Sequence, residues 1–406
     1  MKLLFLHRNF PGQFRYMASY YAGNSGNTVV FLATAVHEDI PGVHKVIYRP
    51  EGSSRPTTHI YLRGFEDAVL YGQSACRAAI QLREQGFIPD LIIGHSGWGP
   101  TLYVQDVYPD VPLLCYFEWF YRSHGSTHGF DPATPVSEDN KAEIRTKNMA
   151  IMLDLCHSTL GLSPTRWQKQ QFPPEFHNKI QVIHDGVNTA LFCPAPEAKL
   201  VIPRIGLDLS EAEEIVTYVA TGMEPMRGFP QFMEAVSLLQ KRRPRCHVVV
   251  VGEDRVEYSN PLANGKTYKQ WMLEQYEYDL TRIHFTGRLN LLEYREVIQA
   301  STVHVYLTYP YILSWSLLEA MACGCLVIGS NTPPVAEVIE DGGNGLLVDF
   351  FSPRELADKI DGALNDPGAC QLIRRNARNT ILEKYSLDVL FPKQRELVQA
   401  LVDRRA

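Results

Sequence analysis

Three groups of residues in this 406-residue chain have the types and spacing to do chemistry. In the first, an apolar run from Val303 leads through Tyr309–Leu313 to Ser314, Trp315 and Ser316. A helical pattern follows, closed by Gly324. Small polar residues at a helix start leave backbone N–H groups and the positive dipole end facing an anion, and a diphosphate suits such a place. Glu319 falls about one turn into the helix, where a carboxylate can accept from ribose hydroxyls. The same residues also fit a plain strand-to-helix turn, with serine capping and dipole neutralisation. The second group is Arg227-Gly228, just after the apolar run Ile215–Ala220. A guanidinium fork at a helix start can grip phosphate, or it can be a solvated charge. The third group is Gly12, in a turn after the first apolar run, with His95 and Glu118, each at the carboxyl end of a probable strand. A plain turn is the alternative for Gly12, and structural polar contacts for the other two.

The elements that must position these groups show as short apolar, β-branched runs alternating with longer amphipathic stretches, the pattern of parallel sheets covered by helices. Strands are expected at Leu3–His7, Thr28–Leu32, Leu91–Gly94, Leu113–Tyr116, Thr159–Leu162 and Gln181–His184. A second series is expected at Ile215–Ala220, His247–Gly252, Ile283–Thr286, Val303–Leu307, Leu326–Gly329 and Gly345–Val348. Gly64–Gly86 and Arg354–Leu364 carry helical spacing. The prolines within Phe192–Leu209 suit a linker. This divides the chain into a domain over 1–195 and a second over 196–386, with a terminal helix at 387–406 packing back on the first. Ligand is expected in a cleft that both domains face.

Several motifs resemble the GT4 family of retaining glycosyltransferases, which have the GT-B fold of two Rossmann-like domains. Glu319 to Cys325, followed by Val327-Ile328-Gly329-Ser330, is similar to the family's carboxyl-terminal signature. Val182–Asn188, His284–Leu289, Asn331–Ile339 and Gly342–Val348 match other segments of it. The resemblance is strong over 180–390 and weaker before. It implies a donor site built from Gly12, Arg227, Gly228, Arg288, Leu289, Tyr311, Leu313, Ser314, Trp315, Ser316 and Glu319. It also implies catalytic roles for Glu118, His95 and Arg227. Two positions depart from the pattern. The family carries a glutamate where this chain has Tyr311, and an arginine near Thr221-Gly222-Met223 that is missing here. The implied reaction moves a sugar from a nucleotide-sugar donor, a UDP- or GDP-sugar, to a glycan, lipid-linked or small-molecule acceptor. No Asp-x-Asp pair is present, so neither a metal nor another cofactor is expected.

Bulk composition sets limits on the alternatives. With 39 basic against 45 acidic residues and a net charge of −6, the chain is not a nucleic-acid platform. No apolar run reaches the ~20 residues of a membrane span. The apolar start ends early at His7, Arg8 and Asn9, as a buried strand does and a signal peptide does not. Eight scattered cysteines, with Cys323 and Cys325 as the one close pair, read as reduced packing residues. A cytoplasmic protein is expected, with peripheral attachment to the inner membrane face left open. Two other functions remain: a sugar-nucleotide 2-epimerase, which needs paired acid and base, and a nucleotide-sugar-binding protein without turnover, motivated by the two departures. A dehydrogenase fits poorly, because Asn-Phe-Pro-Gly follows the first strand instead of Gly-x-Gly-x-x-Gly.

Overall fold

The computed structural model describes residues 1–36 and 38–404. They form two compact units, Met1–Asp185 with the stretch from Phe391 onward, and Gly186–Leu390.

The first unit is built on a seven-stranded parallel sheet: β1 (Lys2–Leu6), β2 (Thr28–Ala33), β3 (Val43–Ile47), β4 (Leu91–His95), β5 (Leu113–Tyr116), β6 (Leu160–Ser163) and β7 (Ile180–Val182). Their spatial order is β3-β2-β1-β4-β5-β6-β7. Strand β1 pairs on both sides, Leu3 with Val29 and with Leu91. Leu3, Leu4, Phe5 and Leu6 are wholly buried, as expected of a central parallel strand covered on both faces. Strand β3 was not among the expected strands: its Val-His-Lys-Val-Ile sequence is an edge strand with mostly half-exposed side chains, so its apolar signal is weak. Helices α1 (Arg15–Ala22), α2 (Arg63–Glu84), α3 (Glu138–Lys147) and α4 (Met149–His157) belong to this unit.

The second unit repeats the plan with six strands: β8 (Ile215–Gly222), β9 (His247–Glu253), β10 (Ile283–Gly287), β11 (Val303–Tyr306), β12 (Leu326–Ser330) and β13 (Leu346–Val348). Their order is β10-β9-β8-β11-β12-β13. In both units the strand order reverses beside the first strand, between β1 and β4 and between β8 and β11. Loops leaving the carboxyl ends diverge there and open a crevice, the usual ligand position in such sheets. Helices α5 (Phe229–Arg242), α6 (Leu291–Gln299), α7 (Trp315–Ala322) and α8 (Pro353–Asn365) belong to this unit.

The division falls at Asp185, earlier than residue 195. Val187 pairs with Ser386, and Val187 and Phe192 are buried in the second unit's core, so the chain has joined that unit before the prolines begin. The expected linker also proves partly ordered. Leu200–Ile202 and Leu207–Leu209 form an antiparallel hairpin whose four leucine and isoleucine ends are buried. Period-two alternation outweighed the prolines, which sit outside its paired residues. The terminal helix α9 runs Leu387–Asp403, and residues 405 and 406 of the expected span lie outside the described residues. From Phe391 it belongs to the first unit: Phe391 meets the Tyr20 ring edge-on at 5.0 Å, and Gln394 donates to the His184 carbonyl at 3.0 Å.

Candidate functional site

In the first unit the crevice between β1 and β4 is filled by a buried polar network. His7 follows β1 directly, and its Nδ1 accepts from the Asn9 N–H at 2.9 Å. That acceptor role leaves the proton on Nε2, which donates to Gln13 Oε1 at 2.8 Å. The Gln13 amide in turn donates to Glu118 Oε1 at 2.8 Å. The other carboxylate oxygen, Oε2, stands 3.4 Å from His95 Nε2. His95 ends β4; its Nδ1 donates to the Ser96 carbonyl at 2.9 Å, and its ring stacks on Trp98 at 3.8 Å. Burial, with the neighbouring His95 adding to it, drives the His7 pKa down to about 3, so His7 is a neutral imidazole. Gly12 closes this crevice at φ +52, and a Cβ there would meet the His7 ring at 2.5 Å. Only glycine lets the loop lie against that ring.

The loop carrying His95 and Trp98 is anchored from beneath. Asp154 on α4 accepts from Ser96 Oγ at 2.7 Å, Thr101 Oγ1 at 2.9 Å and the Gly97 N–H at 3.3 Å. Burial raises its pKa to about 6 against these three donors.

In the second unit the crevice between β8 and β11 holds Arg227. The turn after β8 places Gly228 at φ +67, where a Cβ would lie 2.4 Å from that of Leu307. This tight packing delivers Arg227 to the loop beyond β11. Its Nη1 donates to Thr308 Oγ1 at 2.9 Å and to the Ile312 carbonyl at 3.2 Å. The guanidinium carbon lies 5.5 Å from the Tyr258 ring centroid and 5.7 Å from that of Tyr311, and the two rings meet edge to face at 5.4 Å. Tyr258 is held by Glu224, a wholly buried carboxylate. Its Oε2 accepts from the N–H groups of Glu257, Tyr258 and Ser259 at 3.0, 2.8 and 2.8 Å.

The strand-loop-helix from Val303 folds as expected. The Ser314 N–H donates to the Tyr306 hydroxyl at 2.8 Å, and Ser314 and Ser316 hydroxyls lie 3.2 Å apart at the start of α7. The Ser314 side chain makes no capping bond to that helix start, and Trp315 is exposed on its first turn. Glu319 does more than the sequence indicated: one of its oxygens accepts from the Tyr294 hydroxyl on α6 at 2.6 Å.

The expected residues thus gather into two clusters. Gly12, His95 and Glu118 meet in the first unit; Arg227, Gly228, Tyr311, Ser314 and Ser316 line the crevice and helix start of the second. Three donor-site candidates lie differently. The Leu313 side chain is buried in an apolar cluster, so only its backbone could face a ligand, and Leu289 is half-buried against another such cluster. Arg288 is exposed past the end of edge strand β10, two strands from β8. Sequence reasoning missed His7, Gln13, Asp154, Glu224, Tyr258 and Thr308. For His7 a signal existed, because a histidine ending the first strand of a doubly wound sheet faces the crevice. Cys323 and Cys325 are buried, with thiol pKa values pushed up by burial, as packing residues are. Among the described residues no three His, Cys, Asp or Glu side chains are grouped to hold a metal, and no helix is long and apolar enough to cross a membrane.

Residues 25–192 match the glycosyl transferase family 4 group, and residues 205–380 match the glycosyl transferases group 1. Alpha-maltose-1-phosphate synthase of Mycobacterium tuberculosis is 24% identical over 227 residues, covering 53% of this chain and 55% of that enzyme. The chain therefore spans about half the length of that curated relative. The Anabaena protein Alr3699/HepE, solved in complex with UDP-glucose, is 16% identical with a TM-score of 0.72, over 98% of this chain and 100% of that one. Sucrose-phosphate synthase from Thermosynechococcus elongatus is 18% identical with a TM-score of 0.73, over 100% of both chains. At these identities the structural matches speak for the fold, and the two sequence families cover β2 to β7 of the first unit and all six strands of the second unit's main sheet. The chain belongs to the GT4-type glycosyltransferases of GT-B fold, its first unit in the family 4 group and its second in group 1.

Proposed function

We propose that the protein transfers a sugar, with retention of anomeric configuration, from a UDP- or GDP-sugar to a hydroxyl acceptor without a metal. The observation that carries this reading is Arg227, a cation placed in the β8/β11 crevice by a glycine that no other residue can replace. The HepE structure holds UDP-glucose on the same fold, which supports a nucleoside diphosphate as the ligand class.

Each residue then has a physical task. Arg227 and the start of α7 hold the diphosphate and stabilise the charge that builds on its departing oxygen. Glu319, which also accepts from Tyr294, is assigned to accept from the ribose. Tyr311 offers a neutral phenol toward the sugar where a carboxylate is usual in the family. In the reaction, the bond from the anomeric carbon to the diphosphate oxygen breaks, and its electron pair leaves with the phosphate. The acceptor oxygen bonds to that carbon on the same face, and its proton passes to the leaving phosphate. Glu118, held by Gln13 and flanked by His95, is assigned to steady the reacting hydroxyls.

The test is a thermal-shift screen of UDP-, GDP-, ADP- and dTDP-sugars, followed by NMR of the product with EDTA present. A selective donor and a product of unchanged anomeric configuration are expected. An inverted product, isomerised donor without acceptor, or activity that returns only with manganese or magnesium would overturn the corresponding part.

A further inference from the structure

A cavity lined by cations and apolar side chains lies in the first unit, outside the His7–Glu118 network. It encloses about 330 Å³ between the loop after β5 and one face of α3. Lys141, Ile144, Arg145 and Asn148 line it at helical spacing i, i+3, i+4, i+7, the positions that normally form an apolar stripe toward the core. Here two of the four are cations. Like charges at i, i+4 weaken a helix slightly, while Arg145 in the last turn is favoured by the helix dipole. Arg122 adds a third cation from the loop. Its Nε donates to the Gln171 carbonyl at 2.7 Å and its Nη2 to that of Phe172 at 3.3 Å, which fixes the guanidinium without neutralising it. Arg145 has no carboxylate partner among the described residues, and Lys141 has only the exposed Glu138, at 2.6 Å. No carboxylate lines the cavity. Asn148 clamps its aromatic wall: its Oδ1 accepts from the Tyr121 N–H at 2.9 Å, and its Nδ2 donates to the Tyr121 carbonyl at 2.8 Å.

Three cations from two elements line the cavity with Phe120 and Tyr121, and Lys147 Nζ lies over the Tyr121 ring at 4.1 Å, a set that suits a dianion on a hydroxylated carrier. An arginine fork and a lysine satisfy several phosphate oxygens at once. We infer that this cavity binds the phosphomonoester of a phosphorylated acceptor. The inference rests on the transfer reading only for the word acceptor. The phosphate could belong to a soluble sugar phosphate or to a lipid headgroup, and the experiment separates these.

The full chain is titrated calorimetrically with glucose 1-phosphate, with glucose as neutral control, and with phosphatidylcholine vesicles with or without phosphatidate. Arg145→Ala and Lys141→Ala change side chains exposed on α3, and Arg227→Ala removes the second unit's anion site. Binding of glucose 1-phosphate but not glucose is expected, weakened at least tenfold by Arg145→Ala or Lys141→Ala and unchanged by Arg227→Ala. Binding of phosphatidate vesicles alone, with the same dependence on residues 141 and 145, supports the site and assigns it to a lipid headgroup. No binding of either probe overturns the proposal, as does binding lost in Arg227→Ala but intact in the α3 variants. Failure of the transfer reading is separate: no donor turns over, while the calorimetric result stands or falls by itself.

Discussion

The two units share a strand order and a crevice position, yet they fill it with opposite chemistry. Between β1 and β4 stand His7, Gln13 and Glu118 in a chain of hydrogen bonds, with His95 beside the far carboxylate oxygen. Between β8 and β11 stands an arginine flanked by two tyrosine rings and tied to the next loop. Topology thus decides where a site can form, and the few residues at the strand ends decide what it can hold. The first crevice presents the neutral His7 imidazole and a carboxylate with His95 beside it, the second a cation, and the proposed donor site rests on the second.

The largest way to break this contrast is Gly228→Ala. A side chain at φ +67, 2.4 Å from the Leu307 Cβ, combines backbone strain with overpacking. A loss of about 2–5 kcal/mol in unfolding free energy is expected, read by urea denaturation. Wild-type stability would remove the claim that this turn is locked.

Next is Arg227→Ala, which should weaken nucleoside diphosphate binding by about 1.5–3 kcal/mol, tenfold or more, by calorimetry. Arg227→Lys keeps the charge and loses the fork, so it should fall between the two. Equal affinity in all three proteins would take the second crevice out of donor binding.

The first crevice is sharpened by pH. His7 has its pKa lowered from 6.5 to about 3, so the folded protein refuses a proton that the unfolded chain takes up. Its contribution is whole above pH 6.5 and is lost as pH falls toward 3, worth about 2 kcal/mol between pH 7 and 5. Asp154 has the opposite sign: its pKa is raised to about 6, so stability falls as pH rises from its ordinary 3.8 toward 6. His7→Gln should therefore flatten the acid-side slope of denaturation curves by about 2 kcal/mol over that range. A slope identical to wild type would show that His7 is not held neutral by burial.

The smallest effect is expected at Glu319→Gln. The amide keeps an acceptor for the Tyr294 hydroxyl but loses charge assistance, so stability should drop by about 0.5–1.5 kcal/mol. Donor affinity should fall by a similar amount if the carboxylate also takes a ribose hydroxyl. A change in melting alone would leave Glu319 as a tie between α6 and α7.

Much of the second crevice was legible before folding because its parts are local. Tyr309 to Glu319 is one strand-loop-helix, and Arg227-Gly228 is one turn; their residues are neighbours in the chain, and their turn chemistry is written in small residues and glycine. The linker was misjudged because proline is a local signal, while Leu200, Ile202, Leu207 and Leu209 needed a core to bury against. Side-chain direction was not legible for Leu313, whose loop position suggested ligand contact but whose side chain packs inward.

The sequence by itself determined the two alternating strand and helix series, the glycine positions and the presence of Arg227 and Glu319. Periodicity and turn residues act over a few positions, so they need no partner to be read. Only the tertiary structure decided that His7, Gln13, His95 and Glu118 form one network, that Asp154 anchors the loop beneath it, and that Glu224 holds Tyr258 over Arg227. A parallel sheet brings strand ends from distant parts of the chain to one edge, and burial then sets which atoms carry protons. Both effects depend on neighbours in space that no local pattern in the chain records.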